Sequence, residues 1–154
     1  MTTRPLRIYA DTSVFGGCFD DEFAEDSGAF FKEVSDGRFT LVVSSVTLAE
    51  LAGAPERVRE ILSGLPMEQV ESLPDSPEIQ ALRDAYLQAG VVGPGSERDA
   101  EHVAAATVAE VDMIVSWNFR HIVHFDKIRG YNGVNLLHGY GLLSIHSPRE
   151  VIER

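Results

Sequence analysis

Short apolar runs alternate along this chain with longer stretches in which apolar residues recur every three or four positions, and this alternation most restricts how the chain can fold. Leu6–Ala10 and Phe39–Ser44 read as buried strands, Met113-Ile114-Val115 as a third, Leu142–Ile145 as the last, and Met67–Leu73 as a short strand or extended stretch. Between them, Phe23, Phe30, Phe31 and Val34 predict a helix from about Asp20 to Val34, closed by Asp36-Gly37. Ser45 or Thr47 is placed to cap a helix carrying Glu50, and Pro55 to open another. Pro77–Ala89 is an amphipathic helix stopped by Gly90, and Gly93-Pro94-Gly95 marks a loop. A helix begins close to Asp99, with a small-residue face from Ala104, Ala105, Ala106 and Ala109 suited to packing on a sheet. Ser116-Trp117-Asn118 leads from the third strand towards a further helix, and Ser147-Pro148-Arg149-Glu150 starts the last with a capping box. Strands separated by helices define an α/β protein, a three-layer α/β/α arrangement around a mostly parallel central sheet. At 154 residues the expectation is one domain spanning 1–154.

A formal charge of −11 argues against casual binding to nucleic acid, because an anionic surface repels phosphate. The charge is uneven, however. Asp20, Asp21, Glu22, Glu25 and Asp26 crowd one stretch, whereas Arg120, His121, His124, Lys127 and Arg129 crowd another. Each run reads first as a solvated face, and the second as a local cationic patch in an acidic chain. Cys18 is the single cysteine, which rules out an internal disulfide and fits a reducing, cytoplasmic setting. Nowhere do eighteen uncharged apolar residues run together, so a membrane is not among the expected partners.

Three acids stand where chemistry is expected. Asp11 follows the first strand, Glu50 lies in Val46-Thr47-Leu48-Ala49-Glu50-Leu51, and Asp99 opens Asp99-Ala100-Glu101-His102-Val103. A carboxylate at the end of a buried strand is costly unless something pairs with it, and if the three converge the natural partner is a hard divalent cation. In an open parallel sheet, ligands gather outside the carboxyl ends of the strands where connections diverge. Asp11 and Asn118 belong there by position, and Glu50 and Asp99, near the starts of their helices, are placed to point into the same crevice.

Five ordered segments carry a family resemblance: Tyr9-Ala10-Asp11-Thr12-Ser13, Ser45–Leu51, Asp99–Ala106, Ile114-Val115-Ser116-Trp117-Asn118 and Ser147–Val151. Over nearly the whole chain they resemble PIN-domain proteins, small metal-dependent ribonucleases that include the VapC-type toxins of bacterial toxin–antitoxin pairs. The resemblance implies a PIN-like fold and an endoribonuclease in which Asp11, Glu50 and Asp99 bind Mg²⁺ or Mn²⁺. It also implies an RNA substrate, a small antitoxin partner and a homodimer. Asn118 departs from the pattern, standing where an acid is common, and His121 stands where a second acid is often found. Asn can ligate through its carbonyl oxygen or orient a water, but it removes one negative charge. On this reading Glu50 orients ligand or water as a general base, and Thr12 or Ser13 donates to a carboxylate or phosphate oxygen, with Arg120 as a further substrate contact.

Plainer readings stand beside these. Asp11 alone can cap a turn, Glu50 can be a solvated helix position, and Asp99 a helix cap beside Arg98. His102, three residues beyond Asp99, reads as a helix-packed, hydrogen-bonded histidine rather than a ligand. His121 and His124 have no third ligand at matching spacing for zinc, and Trp117 reads as packing before stacking on a base. A phosphoaspartyl enzyme is disfavoured because Lys32 and Lys127 are the only lysines and neither follows a strand. The serious alternative is a PIN-fold scaffold or binding module weakened in metal competence by Asn118.

Overall fold

A computed structural model of the chain describes residues 4–152. Five strands, β1 (Leu6–Ala10), β2 (Phe39–Ser44), β3 (Val70–Leu73), β4 (Met113–Val115) and β5 (Ile145–His146), form one sheet in the order β3-β2-β1-β4-β5. Every neighbouring pair is parallel. The helices are α1 (Thr12–Gly17), α2 (Ala24–Ser35), α3 (Ser45–Ala52), α4 (Glu56–Ser63), α5 (Pro77–Gln88), α6 (Glu97–Val108), α7 (Phe125–Leu137) and α8 (Pro148–Val151).

Side chains of a strand alternate between the faces of its sheet, so a strand buried on both faces is apolar throughout. Ile8 and Ala10 join Leu41, Val43 and Val115 in a core with Val14 and Phe15 of α1, Phe30, Phe31 and Val34 of α2 and Val58 of α4. Tyr9, Val42 and Ile114 face the other way, into a core with Leu82 and Tyr86 of α5, the alanines of α6 and Tyr131 of α7. The fold is therefore a three-layer α/β/α sandwich, and the small side chains of α6 let it lie close to the sheet.

β1, β2 and α8 match the sequence reading, the last with its Ser147–Glu150 capping box. Elsewhere local hydrogen bonds moved the boundaries. The second helix starts at Ala24 because the Asp20 carbonyl takes the Phe23 and Ala24 amides and holds the preceding residues in a turn. Ser44, not Ser45 or Thr47, is the N-cap of α3, and the Thr47 hydroxyl returns to accept the Ser44 amide. Leu142–Ser144 stay outside β5: the Asn132 side chain exchanges two hydrogen bonds with the Leu143 backbone in place of a ladder partner. After β4 the chain makes a loop before α7 begins, because the Asn118 carbonyl collects the Ile122 and Val123 amides in a turn that is not continued. Among the described residues no helix is long and apolar enough to cross a membrane.

Candidate functional site

The strands β1 and β4 are neighbours, yet β1 leads into α1 on one face and β4 leads by its loop to α7 on the other. That divergence opens a crevice at their carboxyl ends. Asp11 is the first residue beyond β1, its amide bonded to the Val115 carbonyl at 3.3 Å, and it is only 4% exposed. It occupies the N-cap position of α1 without making a cap bond. Instead Oδ1 accepts from Ser13 Oγ at 2.6 Å and Oδ2 from Ser116 Oγ at 2.7 Å. Both serines are in turn fixed by the loop after β4, Ser13 Oγ accepting the Trp117 amide and Ser116 Oγ the Asn118 amide. Burial pushes the Asp11 carboxyl above its ordinary range, His102 and the two hydroxyls pull it back, and Asp99 adds to the rise.

Glu50 lies closer to the end of α3 than to its start, a correction to the expected placement. Its Oε1 accepts from Thr12 Oγ1 at 2.7 Å and meets His102 Nε2 at 2.6 Å. Burial raises the Glu50 carboxyl, but His102, Thr12 and Arg98 together outweigh it and hold the group below its usual value. His102 is 2% exposed and its Nδ1 meets the Tyr9 hydroxyl at 2.7 Å.

Asp99 sits in the first turn of α6, whose N-cap is Ser96, so it is not the cap. Desolvation raises its carboxyl; His121, His102 and a hydrogen bond from the Asn118 side chain lower it, and Glu50 raises it again. Asn118 Oδ1 accepts the His121 amide at 2.9 Å and the Arg120 amide at 3.3 Å, so its oxygen is held by its own loop while its side chain supports Asp99. Arg120 is exposed. A cleft of about 780 Å³ opens between α3 and α6, lined by Ser45, Glu50, Ser96, Arg98, Asp99 and Glu101 among others. Glu50 and Asp99 line it; Asp11 is buried outside its lining.

The donor set is all oxygen, as a hard dication prefers, and Asp99 raises the Asp11 carboxyl while Glu50 raises that of Asp99, a repulsion a cation would relieve. Among the described residues, no three His, Cys, Asp or Glu side chains are grouped as they would be around a metal ion. The three acids thus share one electrostatic environment without forming a closed cage.

Sequence reasoning placed Asp11, Glu50, Asp99, Thr12, Ser13 and Asn118 in one region, and the structure brings them there. It missed Ser116, whose hydroxyl closes on Asp11, and the link from His102 to Glu50; the spacing of three residues between Asp99 and His102 was the available signal. Trp117 serves packing: it is 6% exposed, stacks on Phe23 at 4.2 Å and donates to Ser27 Oγ. His124 caps α7, accepting the Asp126 amide. In comparison with known proteins, no family model matches this chain and no curated protein matches it at a significant level.

Proposed function

We propose that this protein is a divalent-metal-dependent endoribonuclease of PIN type that hydrolyses RNA phosphodiester bonds in the cytoplasm, as the toxin of a toxin–antitoxin pair. The observation that carries the reading is Asp11: a carboxylate 4% exposed at the carboxyl end of a central strand, bonded among the described residues only to serine hydroxyls and raised further by Asp99. A purely structural role rarely places an acid there without a cationic or amide partner.

Asp11, Glu50 and Asp99 are the residues that would hold Mg²⁺ or Mn²⁺. When bound, such an ion supplies Lewis-acid polarisation of the phosphoryl oxygens and offsets the charge that gathers on them. The chain supplies the rest. Ser13 and Ser116 orient Asp11 and favour its ionised form, Thr12 and His102 do the same for Glu50, and Asn118 supports Asp99. Glu50, at the wall of the cleft with its carboxyl held low, is suited to orient ligand or an attacking water as an ionised group, and Arg98 to meet a substrate phosphate. A small antitoxin covering the cleft and a homodimer belong to the same proposal.

Two observations favour a second reading, a scaffold or binding module: the Asn118 oxygen is occupied by two backbone amides, and among the described residues no three acids are gathered around one point. Mn²⁺ binding by calorimetry, beside cleavage of a mixed RNA pool, decides between them. Wild type is expected to bind and cleave, and Asp11→Asn and Asp99→Asn to do neither. Wild type that takes up no Mn²⁺ would overturn the nuclease reading in favour of the scaffold.

A further inference from the structure

A buried polar chain runs from the sheet to the cleft. Tyr9 Oη, fully buried in β1, lies 2.6 Å from Ser44 Oγ, 3.1 Å from Thr47 Oγ1 and 2.7 Å from His102 Nδ1. Thr47 Oγ1 already accepts the Ser44 amide, so its own proton is free to go to Tyr9. A phenol oxygen has two lone pairs and one proton. With both hydroxyls donating to it, its proton goes to His102 Nδ1, and this pattern assigns the remaining ring proton to Nε2, where Glu50 Oε1 lies at 2.6 Å. Burial raises the Tyr9 phenol far above neutrality, which keeps that proton in place.

The consequence falls on one oxygen. Thr12 and His102 both bond to Glu50 Oε1, and Oε2 has no hydrogen-bond partner among the described residues. We infer that His102 is a positioning residue for Glu50: anchored by Tyr9, it holds Oε1 against Thr12 and leaves Oε2 as the oxygen that serves the ligand in the cleft. His102 itself touches neither metal nor substrate. A carboxylate held through one oxygen loses less freedom on engaging a ligand through the other, which is the benefit of preorganisation. The inference rests on the metal-dependent reading above.

Two polar substitutions separate positioning from packing. In His102→Gln the side-chain amide nitrogen falls near the place of Nε2 and still donates to Glu50. In His102→Asn the amide reaches only as far as Nδ1, keeping the contact with Tyr9 and losing that with Glu50. Mn²⁺ affinity is measured by calorimetry for wild type and both variants, each checked for a cooperative thermal transition. Loss of such an outer hydrogen bond costs metal affinity by about tenfold to a hundredfold, which is expected for His102→Asn, whereas His102→Gln stays within about threefold of wild type. Equal affinities in all three proteins, or equal losses in both variants, would overturn the inference while leaving the metal reading intact. Wild type without Mn²⁺ uptake would remove the metal reading and this inference together.

Discussion

Ser116 Oγ donates to Asp11 Oδ2 at 2.7 Å, a bond across 105 residues that joins the ends of the two central strands β1 and β4. It is buried, and its acceptor is a carboxylate whose desolvation opposes ionisation. Hydrogen bonds to charged groups contribute about 1.5–3 kcal/mol, so Ser116→Ala is expected to lower stability by that amount in urea unfolding. The same substitution releases the Asn118 amide, which Ser116 Oγ accepts at 2.9 Å. An unchanged midpoint would show that Asp11 is held by Ser13 alone.

Asp11 itself is expected to cost stability. Its carboxyl is raised in the folded protein, chiefly by burial, above its value in the unfolded chain. Between those two pKa values the folded state binds more protons than the unfolded one, so stability falls as pH rises through the window and the full cost is present above it. Each unit of displacement is worth about 1.4 kcal/mol. In EDTA at pH 7, Asp11→Asn is expected to unfold at higher urea than wild type, and with Mn²⁺ supplied in place of EDTA it is expected to have lost all RNA cleavage. The gap should narrow as pH falls through the acid range. Lower stability of the variant at pH 7 would contradict this account.

Gly17 shows how tightly the aromatic side of the site is built. A Cβ there would lie 2.6 Å from Ser27 Oγ and 2.7 Å from Trp117 Nε1, breaking into the pair that holds the indole. Gly17→Ala is expected to cost about 1–3 kcal/mol, as overpacking does. Gly16, in the same helix, has nothing within 4 Å of the corresponding position, and Gly16→Ala is expected to be neutral or stabilising by up to about 1 kcal/mol. Thermal denaturation of the two variants, with the near-ultraviolet signal of Trp117 as a local probe, checks the contrast.

Arg98 and Arg120 separate by position. Both are exposed, but Arg98 lines the cleft and its charge reaches Glu50, whereas Arg120 lies outside that lining. Arg98→Gln is therefore expected to weaken binding of a labelled RNA several-fold and to reduce the slope of log affinity against log salt by about one. Arg120→Gln should do less on both measures. A larger effect at Arg120 would place the RNA path along the loop after β4 rather than through the cleft.

Sequence alone determined the layers and the neighbourhood of the acids. Apolar runs such as Leu6–Ala10 and Phe39–Ser44, long enough for a strand and too short for a helix, required a sheet buried on both faces, and that put Asp11 at its carboxyl edge. These features were legible because periodicity and strand length are local. Tertiary structure alone decided which hydroxyl meets which carboxylate. Ser116 comes to Asp11 through the register of β1 on β4, and His102 comes to Glu50 because the alanines of α6 let that helix approach the sheet until the imidazole reaches Tyr9. The start of α7 was hidden for the same reason: whether Asn118 begins a helix or folds its oxygen onto the amides of Arg120 and His121 depends on what surrounds the loop. The bonds from His102 to Glu50 and from Ser116 to Asp11 join residues 52 and 105 positions apart, and their geometry follows from packed strands and helices, so no local pattern in the chain encodes them.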